Sequence, residues 1–341
     1  MINQVIRLTA PRQFEVFSIE EEVTDQTVIV RPTFLSICHA DQRYYTGSRD
    51  QEVLKKKLPM ALIHEGIGEV VLDKTGTFEK GQRVVIIPNT PVEASNTIAE
   101  NYLPSSKFRS SGYDGLLQEY VFSTPDRLVP IPDTYPSAVA AYTELISVAM
   151  HAVTRLQARI NDDHESFGVW GDGNLGFITS LILKRTFPDA KIYIFGMHKE
   201  KLDYFSFAHQ VYQVEDIPES LLLSHAFECV GGMGSQEAIN QIIDHIKPEG
   251  TISLMGVSER RIEVNTRMVL ERGLTLFGSS RSGREDFVKT IQFLHNHPNA
   301  CKRLEGLVGI HETVSELSDI GPFFERELQN TWGKAVMKWE V

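Results

Sequence analysis

A chain of 341 residues is longer than one compact core usually organises, so two domains are expected. Hydrophobic residues at 42% and charged residues at 23% are ordinary for a folded soluble protein, which excludes a disordered or fibrous chain. The 34 Lys and Arg stand against 45 Asp and Glu, a net charge of −11. With no long basic run, nucleic acid is excluded as a partner, whereas a small anion held by a few cations is not.

The opening MINQVIRLTAPRQFEV lacks an apolar targeting core, and no apolar run is long enough to span a bilayer. Three widely separated cysteines, Cys38, Cys229 and Cys301, do not make a disulfide framework. No membrane partner and a cytoplasmic location are therefore expected.

Taken in chain order, TVIVRPTFLSI, EGIGEVVLD and QRVVIIP are short β-type runs punctuated by Gly and Pro, which suggests an irregular β-rich domain. The pattern then changes. FGVW leads through a glycine-rich turn into a helix-like segment, followed by KIYIFG, VYQV, HAFECVGG, TISLMGV and LTLFGSS with helix-length segments between some of them. That alternation predicts βαβ units on a parallel sheet. The closing GKAVMKWEV reads as a strand returning to the first domain. The fold class is thus α/β: a β-rich catalytic domain of residues 1–140 and 285–341, interrupted by a doubly wound Rossmann domain of residues 141–284.

Gly171, Gly173 and Gly176 form G-x-G-x-x-G between a strand and a helix. In that setting one glycine allows the tight turn, the next a close approach of backbone to a pyrophosphate, and the last close helix packing. Asn174 and Leu175 belong to the same turn, and Val230 and Gly231 lie where backbone could meet the cofactor. KIYIFG ends in Gly196, Met197, His198 and Lys199 without an acidic residue. A carboxylate there would favour the free 2′-hydroxyl of NAD, whereas His198 and Lys199 suit a 2′-phosphate, so NADPH is the expected cofactor.

Cys38 in SICHAD and His64 with Glu65 in LIHEGIGEVV are residue types that bind zinc, although spacing alone does not bring them together. The order SICHAD, IHEGIGEVV, FEKGQRVVI and then a mid-chain Rossmann turn resembles the zinc-dependent medium-chain alcohol and polyol dehydrogenases along essentially the whole chain. The resemblance implies a GroES-like catalytic domain, Cys38 and His64 as catalytic zinc ligands, Asp41 orienting His64, and Glu144 or Glu65 completing the set. It also marks departures. Ile63 replaces the usual glycine, a modest change; Ala40 replaces a hydroxyl residue of the proton relay; and no cysteine lies between Pro88 and Gly115, so one catalytic zinc and no structural zinc are expected.

Within the family, DQRYYTGSRD, ENYLPSSKFRSSGYDG, AYTELISV, AFECVGGMGSQ and VLERGLTLFGSSRSG most resemble reductases of a pentulose phosphate. This implies NADPH-dependent reduction of D-ribulose 5-phosphate to D-ribitol 5-phosphate, with a cytidylyltransferase as downstream partner in CDP-ribitol and wall teichoic acid synthesis. A phosphate needs a cationic anchor, for which Arg43 with Tyr45, and Arg109, are the candidates. Relatives commonly dimerise, and GLTLFGSS is the expected homodimer edge. The alternatives are an NAD-dependent polyol dehydrogenase acting on an unphosphorylated substrate and a non-catalytic NADPH sensor.

Overall fold

The computed structural model describes all 341 residues, which divide into two compact units: Met1–Ser147 with Ser282–Val341, and Val148–Arg281. In the first unit, strands Ile2–Ala10 and Gln13–Glu20 form an antiparallel hairpin. The remaining long strands build a seven-stranded sheet. Its order runs Val308–Val314, Lys334–Trp339, Val28–Ser36, Glu65–Asp73, Arg83–Ile86 and Leu128–Pro130, with Val121–Ser123 also pairing Val28–Ser36. The returning tail is therefore a member of the sheet, with Val336 opposite Ser36 in antiparallel register. A single apolar core joins both ends of the chain, from Val5 and Leu8 to Phe323, Phe324 and Trp339.

The second unit is a six-stranded parallel sheet in the order Gln210–Gln213, Lys191–Gly196, Ser166–Trp170, Leu223–Glu228, Ile246–Leu254, Thr275–Gly278. Numbered along the unit this is 3-2-1-4-5-6, the doubly wound Rossmann order. Ser166–Trp170 and Leu223–Glu228 are buried at every position, as strands covered on both faces must be. Thr275–Gly278, from GLTLFGSS, is one edge strand, and Gln210–Gln213 is the other. The α/β class read from the sequence is the observed one. All three cysteines are free, and no helix is long and apolar enough to cross a membrane.

The cysteine-free segment between Pro88 and Gly115 is tied down by ion pairs. Arg127 holds both oxygens of Glu100 at 2.9 and 3.1 Å, and Arg7 grips Asp114 at 2.6 to 3.1 Å. Asp114 also accepts the Ala61 N–H at 2.8 Å, which links this lobe to the backbone leading to His64.

Candidate active site

Strand Val28–Ser36 ends two residues before Cys38, which opens the helix His39–Tyr45, while His64 and Glu65 stand where strand Glu65–Asp73 begins. Because these strands pair antiparallel, with Ser36 opposite Glu65, the two motifs meet at one sheet end. One donor atom each from Cys38, His64 and Glu65 lie within 4.8 Å of one another. A thiol, an imidazole and a carboxylate converging in this way are a donor set suited to zinc.

Asp41 organises the cluster. It is fully buried; one carboxylate oxygen accepts the Ile63 N–H at 3.0 Å and the Ser110 hydroxyl at 2.5 Å and lies 3.5 Å from His64 Nδ1, while the other accepts the Cys38 N–H at 3.1 Å. Burial works against its charge, yet His64 and these hydrogen bonds hold its pKa below the ordinary carboxylate range. Burial likewise opposes a charge on His64, but Asp41 and Cys38 raise it well above the ordinary imidazole value. Ile63 is in the left-handed region at φ 72°, so its replacement of glycine is not modest: a β-branched residue is strained there by ~1–2 kcal/mol. The Asp41 hydrogen bond and complete burial hold it in place.

Glu144 lies outside the 4.8 Å cluster but is buried at the start of helix Thr143–Gln157. Burial and the Glu65 and Asp41 charges push it up to about 7 against the lowering effects of His64 and Lys334. Lys334 is the participant that sequence reasoning missed. Its buried ammonium donates to the Ile37 carbonyl at 2.7 Å and to Glu65 Oε1 at 2.9 Å, so it holds the chain on either side of the cluster. Glu65 Oε2 is buried, accepts no hydrogen bond and lies 2.9 Å from Lys334 Nζ, so the ammonium faces both carboxylate oxygens and balances the charge that Glu65 brings to the cluster.

Two sequence profiles match this chain. That of the alcohol dehydrogenase GroES-like domain covers residues 24–133, and that of the zinc-binding dehydrogenase domain covers 188–296. A protein of Bacillus spizizenii named ribulose-5-phosphate reductase is 57% identical over the full length of both chains. One of the same name from Streptococcus pneumoniae is 47% identical, covering 100% of this chain and 98% of its own. The chain belongs to the zinc-binding alcohol dehydrogenase family. A crystal structure of S. aureus TarJ in complex with NADPH superposes with a TM-score of 0.90 at 48% identity, covering both chains completely. The protein is therefore a dehydrogenase-type oxidoreductase.

In the dehydrogenase's parallel-sheet unit, Gly171 ends strand Ser166–Trp170 at φ 128°, and Gly173 precedes helix Asn174–Thr186, whose first turn holds Asn174, Leu175 and Gly176. A Cβ at Gly176 would lie 2.0 Å from the Gly171 carbonyl oxygen, so the turn closes only on glycine. At Gly173 a Cβ would meet no protein atom within 4 Å, which leaves open space where a ligand can approach. The region after KIYIFG is not free of acid. Asp172, inside the glycine turn, reaches the strand end and accepts from the Met197 and His198 N–H groups and lies 2.9 Å from His198 Nδ1, while Lys199 is exposed beside it. The Val230 and Gly231 N–H groups are also taken, both by Glu228 Oε1 at 2.9 and 2.8 Å, so only their carbonyls remain for a cofactor.

Two substrate candidates are occupied with structural contacts. Tyr45 is buried between Phe14 and Phe324, and its hydroxyl donates to Glu325 at 2.9 Å. Arg109, 8% exposed, donates to the Asp114 and Phe122 carbonyls and stacks on Tyr113. A polar side chain next to a motif was the only signal for either, and it does not reveal what the tip touches. Arg43 remains on the helix that opens at Cys38.

Proposed function

We propose that the protein reduces D-ribulose 5-phosphate to D-ribitol 5-phosphate with NADPH and one zinc ion. On this reading it acts in the cytoplasm as a homodimer through Thr275–Gly278, upstream of a cytidylyltransferase that makes CDP-ribitol for wall teichoic acid. The observation that carries the reading is the cluster of Cys38, His64 and Glu65 in a chain matched end to end by proteins named for this reaction. The NADPH bound to the S. aureus neighbour supports the cofactor, as does the exposed Lys199; His198 is engaged by Asp172 and adds nothing to that choice.

Cys38, His64, Glu65 and Glu144 would hold the metal. When bound, zinc supplies a Lewis acid for the substrate carbonyl and NADPH supplies the hydride. The chain's own contribution is positional. Asp41 fixes the His64 ring, and Lys334 restrains Glu65 and the backbone before Cys38. Ala40 brings no hydroxyl, so the proton reaches the product through water, Glu65 or a substrate hydroxyl.

A matrix of ribulose 5-phosphate, xylulose 5-phosphate and free pentuloses against NADPH and NADH, with and without a zinc chelator, tests this. Turnover should be highest with ribulose 5-phosphate and NADPH and should disappear on chelation. Preference for a free polyol with NAD⁺, or chelator-resistant turnover, would sink the reading.

A further inference from the structure

Arg109 and Tyr45 do not offer a free tip to a phosphate, which leaves open how a sugar phosphate would be held. The helix His39–Tyr45 starts directly after Cys38. At 1.5 Å of rise per residue, Arg43 lies ~7 Å along its axis from the cluster, a separation on the scale of a short sugar chain. After the turn at Gly47, Arg49 folds back so that its Cζ lies 4.6 Å over the ring of Tyr44, Arg43's neighbour. Stacking engages the face of the guanidinium and leaves its edge donors for a ligand. Arg49 Nε is indeed buried without a hydrogen-bond partner.

The surroundings are cationic. Burial and the charge of Arg49 hold Arg43 below the ordinary guanidinium value. The nearby acids in sequence are directed elsewhere: Asp50 caps the helix Gln51–Lys57, and Glu52 pairs with Lys55. Guanidiniums brought together beside a reaction centre repel one another unless an anion sits between them, and a phosphate monoester matches their fork.

We propose that Arg49, stacked on Tyr44 with Arg43 beside it, anchors the phosphate of the sugar substrate whose carbonyl end lies at Cys38, His64 and Glu65. The inference rests on the sugar-phosphate reading above and adds the residue that selects for the ester.

The test compares the zinc-loaded wild type with Arg49→Gln, Arg49→Lys and Arg43→Gln on ribulose 5-phosphate and on free ribulose, with NADPH affinity measured separately by fluorescence. Losing a charge-assisted hydrogen bond should lower kcat/KM for the phosphate ester ~10–100-fold in Arg49→Gln, mostly through KM. The loss on free ribulose should be much smaller, so the preference for the ester collapses. Arg49→Lys should recover part of it, and inorganic phosphate should compete with the ester in the wild type and less well in Arg49→Gln. Equal losses on both substrates would mark a structural role and overturn the proposal. A rise in the NADPH dissociation constant without loss of ester preference would assign Arg49 to the cofactor's phosphates and overturn it too. Should Arg49→Gln fail to fold, Arg49→Lys and Arg43→Gln decide by the same ratio. A wild type indifferent to the phosphate refutes the substrate reading itself, whereas a wild-type preference that survives every variant refutes only this anchor.

Discussion

Each unit contains a buried histidine, and the two respond to burial in opposite ways. His225, 0% exposed in the parallel sheet, faces the Asp163 carbonyl at 2.9 Å through Nε2 and accepts the Thr251 N–H at 3.2 Å through Nδ1. Its partners suit a neutral ring with the proton on Nε2, and burial lowers its pKa to about 4. His64, 6% exposed in the other unit, faces Asp41 and Cys38, whose charges overcome the same desolvation and raise it. The difference separates scaffold from chemistry. The parallel sheet neutralises a buried polar residue, while the catalytic unit gathers Asp41, Glu65, Glu144, His64 and Lys334 around one point. A concentration of buried charge is costly to a fold and marks the place where a cation is to be bound.

The comparison breaks most severely at the cluster. Cys38→Ala should reduce bound zinc from about one per chain to near zero and lower kcat by ~1,000-fold or more, since Lewis-acid assistance is worth several kcal/mol. Metal analysis and steady-state rates check this. NADPH binding should persist, because the glycine turn belongs to the other unit. Full turnover in a metal-free variant would remove the cluster from the mechanism.

On the scaffold side the expected effect is one of stability. The folded pKa of His225 lies below its unfolded value of 6.5, so between pH 6.5 and about 4 the unfolded chain binds a proton that the native ring refuses. Stability is therefore complete above 6.5 and declines as the pH falls to about 4, by up to ~3 kcal/mol. His225→Gln can make similar hydrogen bonds but does not titrate. Chemical denaturation at several pH values should show a decline through this window in the wild type that is largely absent from the variant; parallel curves would contradict the neutral-pin account.

The fold class was legible because alternating apolar runs and a strand-turn-helix glycine pattern extend over whole elements. Cys38, His64 and Glu65 were legible as residues with the right chemistry in the right order, and the sheet register then explains why they converge. Lys334 was not, because its partner Glu65 is 269 positions away and a lysine in KAVMKW looks like any strand residue. Asp172 was not legible either, because it sits inside the glycine turn while its carboxylate reaches the end of the neighbouring strand. The departure at Ile63 was visible as a replaced glycine, but the left-handed backbone that makes the replacement strained was not.

Asp41 sharpens the comparison from outside the metal's own donors. Asp41→Asn retains the shape but loses the charge facing His64, and removal of such an orienting partner typically weakens metal affinity ~10–100-fold. A zinc-buffer titration should detect this while kcat at saturating zinc falls less. Unchanged affinity would reduce Asp41 to a brace for Ile63 and Ser110.

The smallest effect belongs to the ion pairs beside His225. Lys247 Nζ lies 3.0 Å from Asp163 and 3.1 Å from Glu165, and Asp163 also accepts the Ser224 hydroxyl at 2.8 Å. Burial would raise Asp163, but the Lys247 and Ser224 hydrogen bonds outweigh it and bring it down to about 2. Because the folded value lies below the unfolded one of about 4, this contribution is present above pH 4 and lost as the pH falls towards 2. The side chains of Lys247 and Asp163 are 31% and 39% exposed, so solvent screens the pair and Lys247→Met should cost no more than ~1 kcal/mol at neutral pH, less in high salt. Denaturation midpoints at low and high ionic strength measure it. A salt-independent loss of several kcal/mol would mean that Lys247 supports the Asp163 loop on which the neutral His225 depends, joining what the comparison treats as two separate devices.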